Sequence, residues 1–290
     1  MVHKINNGNI YISVESLGAE LRSLCDVHGT EYLWQGDKDI WSGQSPTIFP
    51  MVGRQKDNIH IYEGKSYEME NHGFASICNF RVQEKLSDKL VLRLEDNSKT
   101  LKMYPFKFCF DVSFELSGNS MYVRFKVTNT GDKPMPYAVG GHPGFRVPIE
   151  DDEQFEDYYL KFDCVENCDA PHLVRDAMAE AKDYIPVLNN TQYLSLNHDM
   201  FNKGVLILEN LKSRGVELLS HNSGRGVRVD FEGFDNLALW QVKKGNFLCI
   251  EPWTSPGTFT DESMSLEKRK GIILLNPGET DEHGYKVTFI

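Results

Sequence analysis

Long stretches of this chain carry an apolar residue at every second position, a period that fits strands and not helices. Phe108, Phe110, Val112, Phe114 and Leu116 form one such set. Met121, Val123, Phe125 and Val127 alternate with Tyr122, Arg124, Lys126 and Thr128. Tyr285, Val287 and Phe289 repeat the pattern around Lys286 and Thr288, and Leu90, Leu92 and Leu94 repeat it in a shorter run. Strict alternation sends one side-chain set to a core and the other to solvent or a second layer. Turn residues separate the runs at Asn7-Gly8, 26–29, Ser117-Gly118-Asn119, 129–134 and 222–226. The Ser-Gly-Asn-Ser connection after Leu116 predicts a hairpin. Helical periodicity is scarce, and one helix is expected over 172–184, where alanines and charges cluster. Many short strands with few helices predict an all-β fold, a large antiparallel sandwich or barrel. No internal repeat or low-complexity linker divides the chain. The acidic run 150–157 reads as a solvated loop, because strand patterning resumes at Tyr158, so one domain is expected over 1–290.

Charge narrows the partners. With 31 Lys+Arg against 42 Asp+Glu, the net charge is −11. Nucleic acids and anionic membranes both attract basic patches, so neither is an expected partner. No apolar run reaches membrane-spanning length, and the opening MVHKINNGNIYISV lacks the basic-then-apolar order of a signal peptide. A cytoplasmic protein is expected. The cysteines at 25, 78, 109, 164, 168 and 249 hold one close pair, Cys164 and Cys168, with no second pair to match it. They read as reduced thiols and not as a zinc site.

Three clusters place ionisable groups among Gly, Pro and aromatic residues. They are Asn71-His72-Gly73-Phe74, Gly140-Gly141-His142-Pro143-Gly144-Phe145 and Cys249-Ile250-Glu251-Pro252-Trp253. Loops at strand ends are where sites concentrate. Pro143 and Pro252 restrict the backbones of His142 and Glu251. Two histidines and a glutamate supply an acid, a base and a spare donor. Phe74, Phe145, Trp240 and Trp253 offer apolar faces suited to the C–H face of a sugar. Arg54, after Ile48-Phe49-Pro50-Met51-Val52-Gly53, has the donor fork to hold adjacent hydroxyls. Each feature has a plainer reading: a hydrogen-bonded core histidine, a strand-end carboxylate, a surface arginine in a turn. A zinc site at His72, His142 and Glu251 would lack the usual helical His spacing, so no metal is expected. There is no P-loop, no dinucleotide-binding glycine pattern and no nucleophile elbow.

Taken in order, these segments resemble the aldose 1-epimerase (galactose mutarotase) family, and more narrowly its LacX-like branch. The matching stretches are 18–21, 31–37, 48–54, His72-Gly73-Phe74-Ala75, 140–145, 249–253 and 275–279, which span nearly the whole chain. The resemblance implies a β-supersandwich with a sugar cleft on one concave sheet. It implies an isomerase that interconverts the α and β anomers of an aldose without a cofactor, as a monomer or homodimer. It assigns Glu251 as general base, His142 as general acid, His72 as the second active-site histidine and Arg54 as the sugar-contacting arginine. The family's binding aspartate has no secure counterpart, Asp199 being a candidate by local likeness. Ser76 stands where relatives often carry Arg, which bears on substrate choice. Three alternatives stay open: a non-catalytic carbohydrate-binding protein, a metal hydrolase, and a hexose-6-phosphate epimerase of the same superfamily. The last would need cations near the cleft, with Arg54, Arg146, Lys243 and Lys244 as candidates.

Overall fold

The alternating runs pair into antiparallel sheets. The computed structural model describes residues 1–174, 178–242 and 244–290. The larger sheet has nine strands. Their order is Ala179–Ser195, Tyr158–Leu173, Gly215–Ser220, Gly226–Asp230, Thr280–Phe289, Ser120–Asn129, Phe108–Ser117, Lys89–Glu95 and Arg81–Lys85. The expected hairpin is its centre: Phe108–Ser117 and Ser120–Asn129 pair from Ser117↔Ser120 to Phe108↔Asn129. A second sheet contains Leu206–Glu209, Asn236–Trp240, Phe247–Trp253, Gly140–Gly141 and Thr47–Ile48 in that order, with Gly144–Arg146 also paired to Phe247–Trp253. A three-stranded sheet from Val2–Asn6, Ile10–Glu15 and Glu20–Asp26, a short hairpin of Ile59–Tyr62 with Lys65–Glu68, and the pair Met135–Tyr137 with Ile273–Leu275 complete the described strands. This is a large antiparallel β-sandwich.

The two larger sheets share one apolar core. Phe110, Val112, Phe125, Leu160, Leu218 and Val229 from the nine-stranded sheet pack with Leu237, Leu239, Leu248 and Ile250 from the second. Period two explains the choice of faces. Leu248 and Ile250 turn into the core, so Cys249, Glu251 and Trp253 turn to the other side of the same strand. Phe49, just beyond Thr47–Ile48, stacks on Phe110 with ring centroids 4.4 Å apart. Tyr285 of the nine-stranded sheet presses against Gly141, where a Cβ would lie 2.5 Å from the ring. The sheets therefore touch directly beneath the segment that carries His142.

Two expectations need correction. No helix occupies the described part of 172–184: Tyr158–Leu173 and Ala179–Ser195 run as antiparallel strands, with Pro171↔Tyr184 and Leu173↔Ala179 in register. Residues 175–177 of that expectation lie outside the described residues. Helix propensity is a weak prior, and here the ladder supplies the backbone bonds while His172 and Asp183 pair at 2.7 Å across it. The acidic run is only half exposed: Glu153 and Phe155 are buried, and Glu153 accepts hydrogen bonds from Tyr158 and Ser220. Among the described residues, no helix is long and apolar enough to cross a membrane.

Phe110→Ala would remove a fully buried ring that joins the two sheets. The expected loss is about 3–5 kcal/mol, read as a lower urea midpoint at unchanged slope. A loss under about 1 kcal/mol would mean that this contact does not hold the sheets together.

Candidate active site

The outer face of the second sheet carries a cleft of about 350 Å³. One register builds its centre. Gly140 lies opposite Trp253 and Gly144 opposite Cys249, so the same antiparallel register sets His142 opposite Glu251. On the other side of that strand Ala238 pairs with Glu251 and Trp240 with Cys249. Gly140 is needed for the close approach to Trp253, since a Cβ there would lie 2.6 Å from the indole.

His142 Nε2 and Glu251 Oε2 are 3.2 Å apart. Glu251 is 1% exposed and His142 is 9% exposed. Burial pushes the Glu251 carboxyl well above the usual carboxylate range, with the Trp253 indole pulling the other way. Burial, with the neighbouring His72 adding to it, lowers His142 to about 3. Both shifts favour the uncharged form of each group. An imidazolium at His142 therefore forms only against the loss of its hydration. His142 Nδ1 is buried without a hydrogen-bond partner among the described residues. The Trp41 ring stacks on His142 at 5.2 Å, and Trp240 meets it edge-on at 5.6 Å.

His72 faces His142 edge-on, with ring centroids 5.7 Å apart. It comes from a tight turn in which His72 and Gly73 both have positive φ, and a Cβ on Gly73 would lie 2.3 Å from the Phe49 carbonyl oxygen. The Gly53 N–H donates to His72 Nδ1 at 3.2 Å, and the His72 N–H donates back to the Gly53 carbonyl at 3.0 Å. A ring nitrogen that accepts carries no proton, so neutral His72 is fixed with its proton on Nε2. Burial first, and the Arg54 charge second, lower His72 to about 4. Arg54 lines the same cleft, half-buried, and makes no hydrogen bond or ion pair among the described residues.

The cleft thus brings together His72, His142, Glu251, Arg54, Trp240 and Trp253. Ser76 also lines it, where a longer residue would narrow the opening. Phe74 and Phe145, expected to face a sugar, do not line it and lie in the core. Phe145 pairs with Leu248, on the core-facing side of that strand, and Phe74 packs edge-on against Phe49 at 6.1 Å. Asp199 is remote from the lining, with its side chain 76% exposed and 3.9 Å from Lys244. Arg146 pairs with Asp151 in a separate pocket, the Lys244 side chain is 69% exposed, and Lys243 lies outside the described residues. Among the described residues lining the cleft, Arg54 is the one Lys or Arg.

Sequence reading missed Trp41. Its ring fits against Gly43 in its own turn and Gly144 of the strand Gly144–Arg146, where a Cβ would lie 2.7 or 2.8 Å from it. The Trp34 indole N–H holds the Trp41 carbonyl at 2.9 Å. A tryptophan flanked by Ser-Gly was the available signal. The donor atoms of His142, Cys249 and Glu251 lie within 4.8 Å of one another, a spacing open to a metal ion. Burial raises the Cys249 thiol well above its usual range, so a metal there would have to displace a tightly held proton.

The aldose 1-epimerase family model matches residues 1–288. The plasmid-borne protein LacX of Lactococcus lactis subsp. lactis is 33% identical over 100% of both chains. A galactose mutarotase related enzyme from Lactobacillus acidophilus is 31% identical, superimposes with a TM-score of 0.94, and is matched over 100% of this chain and 97% of its own. A galactose mutarotase-like protein from Lactobacillus casei ATCC 334 gives a TM-score of 0.94 at 28% identity over 100% of both chains.

The histidine shifts can be read by NMR. The His72 and His142 ring signals should stay in the neutral position from pH 8 to 5, whereas an exposed imidazole titrates near 6.5. Both folded values are depressed, so their share of stability is full above 6.5 and is lost as pH falls from there toward about 4 and 3. Titration of both rings near pH 6.5 would show that the cleft is not dry enough to shift them.

Proposed function

Since the chain belongs to the aldose 1-epimerase family, on its LacX-like side, we propose that this cleft interconverts the α and β anomers of an aldose. The observation that carries the reading is the cross-strand pair of His142 and Glu251, 3.2 Å apart at the base of an aromatic-walled cleft. Opening a pyranose breaks the C1–O5 bond. The C1 hydroxyl loses its proton, its oxygen electrons form the aldehyde, and O5 takes up a proton as it leaves. Glu251 as carboxylate takes the first proton, and His142 as imidazolium gives the second.

The pair starts that step with one proton and ends it with one, moved from His142 to Glu251. The end state is the neutral form that burial favours. Rotation about C1–C2 then presents the other face of the aldehyde. Reclosure runs the transfers backward, with Glu251 returning a proton to O1 and His142 taking one from O5. Each well-placed acid or base contributes about 10²–10⁴-fold. The chemistry is proton transfer alone, so no cofactor enters. His72, fixed as an Nε2–H donor, steadies an oxygen of the sugar. Arg54 holds hydroxyls, and Trp41, Trp240 and Trp253 face its C–H surface. A pure binder would gain nothing from a buried acid and base pair, which favours an isomerase over a carbohydrate-binding module. The acidic chain and six free cysteines suit a cytoplasmic setting.

Polarimetry of freshly dissolved α-D-glucose, α-D-galactose and glucose 6-phosphate tests the reading. At least one rotation should decay faster with the protein than without it, and Glu251→Gln should slow that decay by about 10²–10⁴-fold while the fold persists. No acceleration on any of the three, or full activity in Glu251→Gln, would contradict it. Arg54 binds ground and transition states alike in this account, so Arg54→Ala should raise KM more than it lowers kcat. The free guanidinium is also the group a 6-phosphate would seek. A larger KM change for glucose 6-phosphate than for glucose would point to the phosphorylated sugar, and an unchanged KM for all three would remove Arg54 from the site.

A further inference from the structure

Arg269 is a buried cation that the chemistry above does not use. Its side chain has no solvent exposure, and the nearest carboxylate, Glu262, is 4.0 Å away. Its guanidinium instead spans two loops. Nη2 donates to the Val52 carbonyl at 3.2 Å and to Thr258 Oγ1 at 2.5 Å. With the Gln55 amide oxygen turned toward it, the orientation that satisfies both groups, Nε and Nη1 donate to that oxygen at 3.0 and 2.8 Å. Val52 and Gln55 bracket Gly53 and Arg54. Thr258 follows Gly257. Gly53, Arg54, Gly257 and Thr258 all line the cleft.

The two loops are pressed together at this point. A Cβ on Gly53 would lie 3.0 Å from the Gly257 Cα. Gly53 is also the residue whose N–H fixes the protonation site of His72. A buried arginine with no bonded carboxylate is costly, and an apolar side chain of similar size often serves stability as well. Stability alone therefore does not account for it. Bridging two separate loops with four directed donors is something a planar guanidinium does and an ammonium does not.

We propose that Arg269 is a positioning residue for the cleft. It clamps the 52–55 loop to the 257–258 loop, and so keeps Gly53 placed to hold His72 in its Nε2–H form and Arg54 at the rim. The effect on catalysis rests on the anomer-interconversion reading; the effect on His72 does not.

The test is Arg269→Met, examined by thermal unfolding, by ¹⁵N NMR of the histidine rings at pH 7, and by mutarotation kinetics. The folded variant should show His72 with its proton shared between Nδ1 and Nε2, and kcat/KM should fall by roughly tenfold to hundredfold through both kcat and KM. If Arg269→Met does not fold, Arg269→Lys takes the same measurements, since it keeps the charge but not the fork, and the same losses are expected. A folded variant with His72 still wholly in the Nε2–H form and kinetics like wild type would overturn the proposal. Disturbed His72 in a protein that shows no mutarotation even as wild type would uphold the clamp and reject the catalytic reading.

Discussion

Glu251 and His142 face each other across a single antiparallel register, 3.2 Å apart and nearly shut off from water. Everything else about the cleft follows from keeping that pair close and dry. The register depends on the strand Phe247–Trp253, which is buried along its whole length and flanked on both sides. Leu248 and Ile250 anchor one face in the core, which leaves Glu251 no choice of side. The low-dielectric surroundings then set the proton's place. Burial raises the carboxyl and lowers the imidazole, so it favours the uncharged form of both.

Around this pair the protein spends rigid, glycine-dependent backbone rather than long flexible side chains. The Trp41 ring fits because positions 43 and 144 lack a Cβ. The His72 turn fits against Phe49 because position 73 lacks one. The result is a set of rings, Trp41, Trp240, His142, His72 and Trp253, packed stacked, edge-on or tilted at 5.2–5.7 Å. Such packing restricts each imidazole to one orientation, which is what directional proton transfer needs. Arg269 extends the same logic behind the walls, where its bonds to Val52, Gln55 and Thr258 join loops that the sheets alone leave separate.

Period two made the sheet legible in sequence. Phe110, Val112, Phe125 and Val287 are buried as their alternation predicts. The ladder over 158–173 and 179–195 was not legible, because alanine-rich, charged residues satisfy helix and edge-strand patterns equally. For the cleft, local motifs identified His72, His142, Glu251 and Arg54 as unusual, and the fold places all four in one cavity. Motifs do not reveal which face a neighbour takes, so Phe74 and Phe145, adjacent to those motifs, were assigned to the sugar and lie in the core. Nor does a single sequence reveal cross-strand register, so the opposition of residues 142 and 251 emerges only in three dimensions. Trp41 and Arg269 lie outside every motif, and their roles come from contacts between distant segments.

The central claim is that one shared proton in a dry pair drives anomer interconversion. The dependence of kcat/KM on pH tests it most directly, because that quantity titrates the free cleft. The account predicts that no ordinary imidazole sets the acid limb. Activity should fall on the acid side only well below 6.5, as the pair takes a second proton toward the depressed His142 value of about 3. It should fall on the alkaline side where the raised Glu251 carboxyl gives up the only one. An acid limb centred near 6.5, the value of an ordinary exposed imidazole, would contradict it.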